Sequence, residues 1–236
     1  MSDRLPVGLE VLARLDHPRH GVLAPAHFVP QMEDAGLARR LTERVAASAF
    51  GDHAGYLARL GLQLALNFPL DVLLDSAALS ALDAQREAAG IAAAQVLFEL
   101  TERRPPDTHN AGEMALFRAG MLRLRRLGYG LAIDDFGPGM TELLDLLGSG
   151  FTAIKLDRAM VDDSATLPGA RRFLGDTLAA AHAAGLTVIA EGVADRPAWD
   201  RMRALGVDQA QGFLIARPLS AASVPAWIEA WRLPRA

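Results

Sequence analysis

The sequence contains no cysteine, which excludes disulfide bonds and thiolate metal ligands. Histidine is scarce, with six in 236 residues, and none ends a predicted strand with a second histidine at ligand spacing. Long hydrophobic runs are also missing, because no apolar stretch reaches the roughly 18 to 20 residues of a membrane helix. The first residues show no basic and apolar signal segment. We therefore expect a cytoplasmic chain without a membrane segment, in which any metal has oxygen or nitrogen ligands.

The chain has little excess charge of either sign. Its formal net charge is −4, with 51% hydrophobic and 22% charged residues. A weakly negative protein does not hold duplex nucleic acid through its overall field, although a focused pocket can still bind an anionic ligand. The apolar content is sufficient for one sizeable core. These values predict a single globular domain over residues 1–236 and no duplex nucleic acid partner.

Short β-type runs alternate with longer helical patterns along the chain. Several helical stretches end in glycine just before the next strand, at Gly128, Gly185 and Gly206, as is typical of helix C-caps. This alternation predicts an α/β fold, and a single TIM-like (β/α) barrel fits the length better than two small domains. A doubly wound open sheet is the main alternative, but no Gly-x-Gly-x-x-Gly follows a predicted strand. The predicted strands lie in "VGLEVLARL", "LQLALNF", "QVLFELT", "YGLAIDD", "FTAIKLD", "LTVIAEG" and "DQAQGFLI".

Polar residues end most of these apolar strands. In a barrel the carboxyl ends of all strands open onto one face, so these side chains would converge on a single mouth. One acid at a strand end is more often a helix cap or a loop ion pair, and only the whole set favours a functional site. The residues are Glu10, Asn67, Glu99, Asp134, Asp135, Lys155, Glu191 and Gln211.

Composition makes two of these positions unusual. Lys155 is the only lysine among 24 basic residues, and Asn67 is one of two asparagines. An ammonium is a compact point charge, whereas guanidinium is a planar fork, so the two do not replace each other in a tight site. We interpret Lys155 as a residue whose ammonium is needed, and Asn67 as a neutral oxygen ligand among carboxylates.

Several carboxylates at one mouth would repel one another unless cations lay between them. Oxygen ligand sets suit Mg²⁺ or Mn²⁺. At the end of "LAIDD" the strand alternation lapses into a Gly-Pro-Gly loop, so Asp134 could bridge two ions while Asp135 reaches the second. Two neighbouring ions stabilise the attacking and leaving oxygens of a phosphoryl displacement. The pattern therefore predicts a two-metal site.

An ordered series of motifs covers nearly the whole chain. It runs through "EVLARL", Pro25 with Phe28, "LALNF", "FELTE", "AIDDFG", "IKLD", "AEGV" and "QGF". This series resembles the EAL domains, bacterial phosphodiesterases that open cyclic di-GMP. The resemblance implies hydrolysis to linear pGpG by in-line attack of water at two Mg²⁺ or Mn²⁺ ions. It also implies a homodimer and a regulatory domain outside this chain.

The resemblance also assigns roles to individual residues. One cation would be held by Glu10, Asn67, Glu99 and Asp134, and the second by Asp134, Asp135 and Glu191. Catalysis would rest on Lys155, which orients the attacking water, with Asp135 and Glu191. The substrate would be contacted by Leu12, Arg14 and Gln211. Glu102 would anchor the loop after Asp135.

The chain departs from the family pattern at three places. Val11 replaces the signature alanine, and the loop after Asp135 carries Pro138 and Glu142 where the family has a Thr-Gly-Tyr-Ser-Ser-like stretch. The usual first strand is also missing, which indicates a fragment of a longer protein or a shortened member. The altered loop leaves a second hypothesis open, a catalytically impaired cyclic di-GMP receptor or a protein-interaction module. The complete set of ligand residues favours the enzyme.

Overall fold

The computed structural model describes residues 5–100, 110–137 and 150–232. The chain divides into two compact units. One comprises Val7–Tyr129, and the other comprises Gly130–Ala236 together with Met1–Pro6. We call them the N-terminal unit and the C-terminal unit.

The N-terminal unit is built on three parallel strands. In this unit β4 (Gln63–Phe68) pairs with β1 (Gly8–Val11) on one side and with β5 (Val96–Leu100) on the other. A small antiparallel hairpin of β2 (Leu15–His17) and β3 (Gly21–Leu23) follows β1. All five residues of β5 are buried, as expected for a strand whose two faces are both covered.

Helices connect these strands. Asp75 precedes α4 and accepts hydrogen bonds from the backbone N–H groups of Ala78 and Ala77, which lower the pKa of its carboxyl. Asn110 caps α5 in the same way through Glu113 N. The described helices of this unit are α1 (Val29–Asp34), α2 (Ala38–Leu60), α3 (Leu70–Leu74), α4 (Ser76–Ala88) and α5 (Ala111–Leu127).

Aromatic rings and one partly buried ion pair lie together in the N-terminal unit, beside many buried aliphatic side chains. The Phe98 ring lies 4.4 Å from that of Phe68 and 4.9 Å from that of Tyr129. The Tyr129 hydroxyl donates to Asp83 Oδ1 at 2.6 Å, and Arg86 donates to the same oxygen at 2.7 Å. Burial acts to raise the pKa of Asp83, but these hydrogen bonds and the Arg86 charge lower it overall. The buried hydroxyl is thus satisfied within the core.

Four strands, each parallel to the next, form the C-terminal unit. Asp157 caps α6 by accepting from Ala159 N, and Asp195 caps α8 by accepting from Ala198 N. The described strands and helices of this unit are β6 (Gly130–Phe136), β7 (Ala153–Leu156), α6 (Arg158–Asp163), α7 (Pro168–Ala183), β8 (Thr187–Ala190), α8 (Arg196–Leu205), β9 (Gln209–Ala210) and α9 (Val224–Arg232).

The predicted helix ends are largely confirmed. Gly128 and Gly206 are left-handed C-caps, with φ of 94° and 90°. Gly185 also has a positive φ of 73°, but it follows the C-cap of α7, which is Ala184. The strand predicted over "DQAQGFLI" was too long, because the strand itself comprises only Gln209–Ala210.

The order of elements confirms an α/β fold. Apart from the β2–β3 hairpin, the strands described in each unit run parallel and alternate with helices. A closed TIM-like barrel forming a single domain stays a prediction. Within the described residues, no helix combines the length and the apolar character needed to cross a membrane.

Candidate metal-dependent active site

The end of β6 departs from regular strand geometry where the two aspartates lie. Ile133 pairs with Ile154 and Phe136 with Leu156, so β6 has one more residue than β7 over this interval. Asp135 has φ of 49° and is the one non-glycine residue with positive φ among those described. A bulge of this kind re-aims side chains that strict alternation would send to opposite faces. The predicted lapse of alternation at Asp134 and Asp135 is confirmed.

Lys155 lies on β7, the strand between β6 and β8, and can therefore reach residues at both neighbouring strand ends. Its side chain is 1% exposed, and its Nζ lies 2.9 Å from Asp134 Oδ1 and 2.6 Å from Glu191 Oε1. A buried ammonium is costly unless it is paired. Pairing with two carboxylates explains how a charged group occupies the interior of an otherwise apolar strand.

Three carboxylates come together around this ammonium. Ligand oxygens of Asp134, Asp135 and Glu191 all lie within 4.8 Å of one another. Together with Lys155, the cluster keeps a formal excess of two negative charges. A divalent cation would offset that excess, and carboxylate oxygens are the ligands that Mg²⁺ and Mn²⁺ prefer. The donor set therefore fits a divalent metal.

The N-terminal unit contains a second group of oxygen-bearing side chains at strand ends. Asn67 on β4 is the register partner of Glu99 on β5. Asn67 Nδ2 lies 3.5 Å from Oε1 of Glu10 on β1, a distance at the long limit of hydrogen bonding. Glu99 is 1% exposed. Glu10, Asn67 and Glu99 thus lie on three adjacent strands, as the strand-end pattern predicts.

The residues predicted to contact substrate are partly accessible. Leu12 is 39% exposed just after β1. Arg14 is folded onto its own backbone, with its guanidinium donating to the Ala13 carbonyl at 2.8 Å. Gln211 directly follows β9. Glu102, Pro138 and Glu142 lie outside the described residues, so the predicted loop anchor and the altered loop stay sequence-based expectations.

Sequence reasoning overlooked three positions beside the carboxylates. Gly192 follows Glu191, Gly212 follows Gln211, and the Arg158 side chain packs against Gly192. Both glycines have positive φ. A polar residue followed by glycine occurs at two successive strand ends, and this pattern could have indicated tight backbone packing. The contact between Gly192 and Arg158 could not be predicted from the sequence.

Comparison with known proteins identifies the family. The sequence model of the EAL domain family matches residues 1–218 of the chain. The chain belongs to the EAL domain family. The resemblance drawn from the motifs is thereby confirmed.

Two relatives of this EAL domain are named as cyclic di-GMP phosphodiesterases. The chain is 35% identical over 215 residues to the cyclic di-GMP phosphodiesterase RocR of Pseudomonas aeruginosa. The aligned region covers 90% of this chain and 53% of RocR. It is 33% identical over 226 residues to the cyclic di-GMP phosphodiesterase PA2567 of the same organism, covering 95% of this chain and 37% of the relative. The EAL domain thus spans about half of the first relative and less of the second.

Two solved structures show the same fold. The PaMucR phosphodiesterase in complex with c-di-GMP superposes with a TM-score of 0.82 at 25% identity, over 92% of this chain and 87% of that one. The Bd1971 EAL enzyme with bound cAMP and cyclic di-GMP superposes with a TM-score of 0.84 at 24% identity, covering 94% of this chain and 60% of its own. Both agree with the α/β architecture of this EAL domain.

Proposed function

We propose that this EAL domain hydrolyses cyclic di-GMP to linear pGpG with the help of Mg²⁺ or Mn²⁺. The observation that carries the proposal is the buried ammonium of Lys155, bonded to Asp134 and Glu191 beside Asp135. This cluster of oxygen donors with one fixed positive charge is suited to metal-assisted hydrolysis of a phosphodiester. The relatives named above, which share the family, are named for this activity.

The proposed metal ligands are polar residues at the strand ends. Asp134, Asp135 and Glu191 would hold one ion, and Glu10, Asn67 and Glu99 would join Asp134 in holding another. When bound, the ions would neutralise phosphate charge and make water a better nucleophile. The number of the ions and their identity are part of the proposal.

The residues of the chain supply the remaining functions. Lys155 would hold the attacking water by a hydrogen bond and keep Asp134 and Glu191 in place. Arg14 would turn from the Ala13 carbonyl to a substrate phosphate, and Leu12 and Gln211 would contact the rest of the nucleotide. In the reaction, the water oxygen bonds to phosphorus and gives up a proton, the bond between phosphorus and the 3′ oxygen breaks, and the 3′ oxygen takes up a proton to leave as a hydroxyl.

Direct product analysis tests the proposal. Purified protein is incubated with cyclic di-GMP and Mg²⁺ or Mn²⁺, and nucleotides are separated over time, with a chelator as the matched control. We expect pGpG with metal and none with chelator. Binding of cyclic di-GMP without pGpG under both metals would replace the proposal with the receptor hypothesis. Homodimer formation, a regulatory domain and a cytoplasmic location stay predictions.

A further inference from the structure

The loops that follow β8 and β9 are joined backbone to backbone. Gln211 N donates to the Ala190 carbonyl at 2.8 Å, and Val193 N donates to the Gln211 carbonyl at 2.9 Å. Leu214 N then donates to the Val193 carbonyl at 3.1 Å. Glu191 lies between Ala190 and Val193, so the backbones carrying Glu191 and Gln211 form one hydrogen-bonded structure.

Gly212 allows this close approach. A Cβ at Gly212 would lie 2.3 Å from the carbonyl oxygen and 2.4 Å from the nitrogen of Val193. These are backbone atoms, which cannot rotate away as a flexible side chain can. The φ of 153° at Gly212 is a further barrier to any other residue. The two loops therefore touch at a point where only glycine fits.

Arg158 packs against the Glu191 loop at Gly192. Gly192 has φ of 66°, and a Cβ there would lie 2.4 Å from Arg158 Cγ and 2.8 Å from Arg158 Cβ. Arg158 is the first residue of α6, and its Nε lies 3.3 Å from Asp162 Oδ2. That ion pair is exposed and contributes little stability by itself. The aliphatic stem of Arg158, and not its charge, is what meets Gly192.

We infer that Arg158 is a positioning residue for Glu191, and that it acts by laying its stem over Gly192. Three sets of contacts hold Glu191: its N–H donates to the Leu156 carbonyl at 3.2 Å, its carboxylate forms an ion pair with Lys155, and its loop meets Arg158 at Gly192 and Gly212 at Val193. Displacement of the Gly192 backbone moves the Glu191 carboxylate. The role in turnover rests on the proposed function, whereas the effect on metal binding does not.

Two substitutions at Arg158 separate the effect of its aliphatic stem on metal binding from the effect of its charge. Arg158→Met keeps most of the aliphatic stem and removes the charge, and Arg158→Ala removes both. We expect Arg158→Met to bind Mn²⁺ as the wild type does, and Arg158→Ala to bind it about tenfold more weakly, because residues that orient metal ligands typically contribute roughly 10- to 100-fold to affinity. Calorimetric titration with Mn²⁺ measures this, and hydrolysis rates are taken on the same preparations.

A rescue experiment tests the contact itself. Gly192→Ala should weaken Mn²⁺ binding by about a hundredfold, the upper end of that range, because its Cβ displaces the backbone that carries Glu191. Arg158→Gly in the same chain should vacate the space and bring the loss back to the roughly tenfold of Arg158→Ala. Arg158→Gly should not rescue Gly212→Ala, whose added Cβ meets Val193 instead. Melting temperatures establish that each variant is folded, and a Gly192→Ala protein that does not fold leaves the Arg158→Ala and Arg158→Met pair to decide.

Two results would overturn the inference. One is equal Mn²⁺ affinity in Arg158→Ala and the wild type, and the other is equal loss in Arg158→Ala and Arg158→Met. A wild-type protein that binds Mn²⁺ but makes no pGpG would instead refute the proposed function, and the affinity series would still test the role of Arg158.

Discussion

Asp135 has a backbone conformation that limits which substitutions can test its carboxylate. A left-handed φ costs most L-residues roughly 1–2 kcal/mol, and Asn and Asp adopt it most readily among the non-glycine residues. We expect Asp135→Asn to keep the melting temperature and to lose hydrolysis by about a hundredfold or more, equal to about 3 kcal/mol in the barrier. Assays at saturating Mg²⁺ measure the rate. A wild-type rate in this variant would remove Asp135 from the metal ligands.

Lys155 tests whether the site needs an ammonium or only a positive charge. Its Nζ bonds to Asp134 and Glu191 in a place that is 1% exposed, so the longer, planar guanidinium has little room there. A misplacement of about 1 Å costs on the order of a hundredfold in rate. We therefore expect Lys155→Arg to fold and to lose about 3 kcal/mol of transition-state stabilisation.

Single-turnover hydrolysis measures the Lys155→Arg effect, with melting temperature and cyclic di-GMP affinity taken on the same protein. Arg172→Lys, at an exposed position of α7, is the matched reverse exchange and should be neutral. A Lys155→Arg protein within about threefold of the wild-type rate would show that charge alone suffices, since threefold is under about 1 kcal/mol.

Helix α5 packs against α3 through a glycine. A Cβ at Gly120 would lie 2.7 Å from the Leu73 carbonyl oxygen and 3.1 Å from Leu73 Cδ1. Alanine normally favours a helix over glycine by about 1 kcal/mol. Here we expect the clash to prevail, and Gly120→Ala to reduce the free energy of unfolding by about 1–3 kcal/mol, the usual cost of overpacking.

The matched control for Gly120 is Gly175 in α7, where an added Cβ would meet nothing within 4 Å. Gly175→Ala should raise the free energy of unfolding by about 0.5–1 kcal/mol. Urea denaturation of both variants gives the comparison. Stabilisation by both substitutions would contradict the close packing of α3 and α5.

Helix α2 buries a histidine that is expected to make stability depend on pH. Burial lowers the pKa of His53 below 6.5, against a smaller opposing effect of Asp52, and the ring hydrogen-bonds to the Tyr56 hydroxyl. The unfolded chain then binds the proton first as pH falls. The contribution of His53 to the free energy of unfolding is therefore fully present above about pH 6.5. It declines below that pH until the folded pKa is reached, by at most about 1.4 kcal/mol for each unit of the pKa difference.

Unfolding free energies between about pH 5 and pH 8 measure the His53 effect, since this range spans the ordinary histidine pKa. His53→Gln should decline less steeply at acidic pH than the wild type, whereas His20→Gln, at an exposed turn, should keep the wild-type slope. Identical slopes in all three proteins would contradict a contribution from His53.

Over the whole chain, the carboxylates were predictable because each ends an apolar strand, and parallel strands place such ends at one edge of a sheet. That rule identified Asp134, Lys155 and Glu191, which the C-terminal unit brings together. It identified Asn67 and Glu99 as well, which are register partners in the N-terminal unit. The local sequence pattern was therefore sufficient to predict a site residue wherever the position of that residue depended only on the direction of its strand.

Other features depend on contacts between distant residues and were not predictable. The φ of 49° at Asp135 arises from the register of β6 against β7, which no window of sequence contains. The Arg158 stem meets Gly192, a residue that lies far along the chain beyond α7 and β8. The length of β9 was overestimated because apolar residues continue past Gly212, although the strand ends at Ala210.

The sole lysine of the chain is also one of its most enclosed side chains, and this has a practical consequence for chemical labelling. Amine-reactive reagents need an uncharged, accessible amine, and Lys155 is 1% exposed and bonded to two carboxylates. Modification of this amine requires local opening of the C-terminal unit, so its rate reports that opening. We expect acylation of Lys155, followed by mass spectrometry, to be slow in the folded protein and slower still with Mn²⁺, while denaturant makes it fast. Fast acylation of the folded protein would mean that the amine is accessible, and the same reagent would then serve as an inactivator.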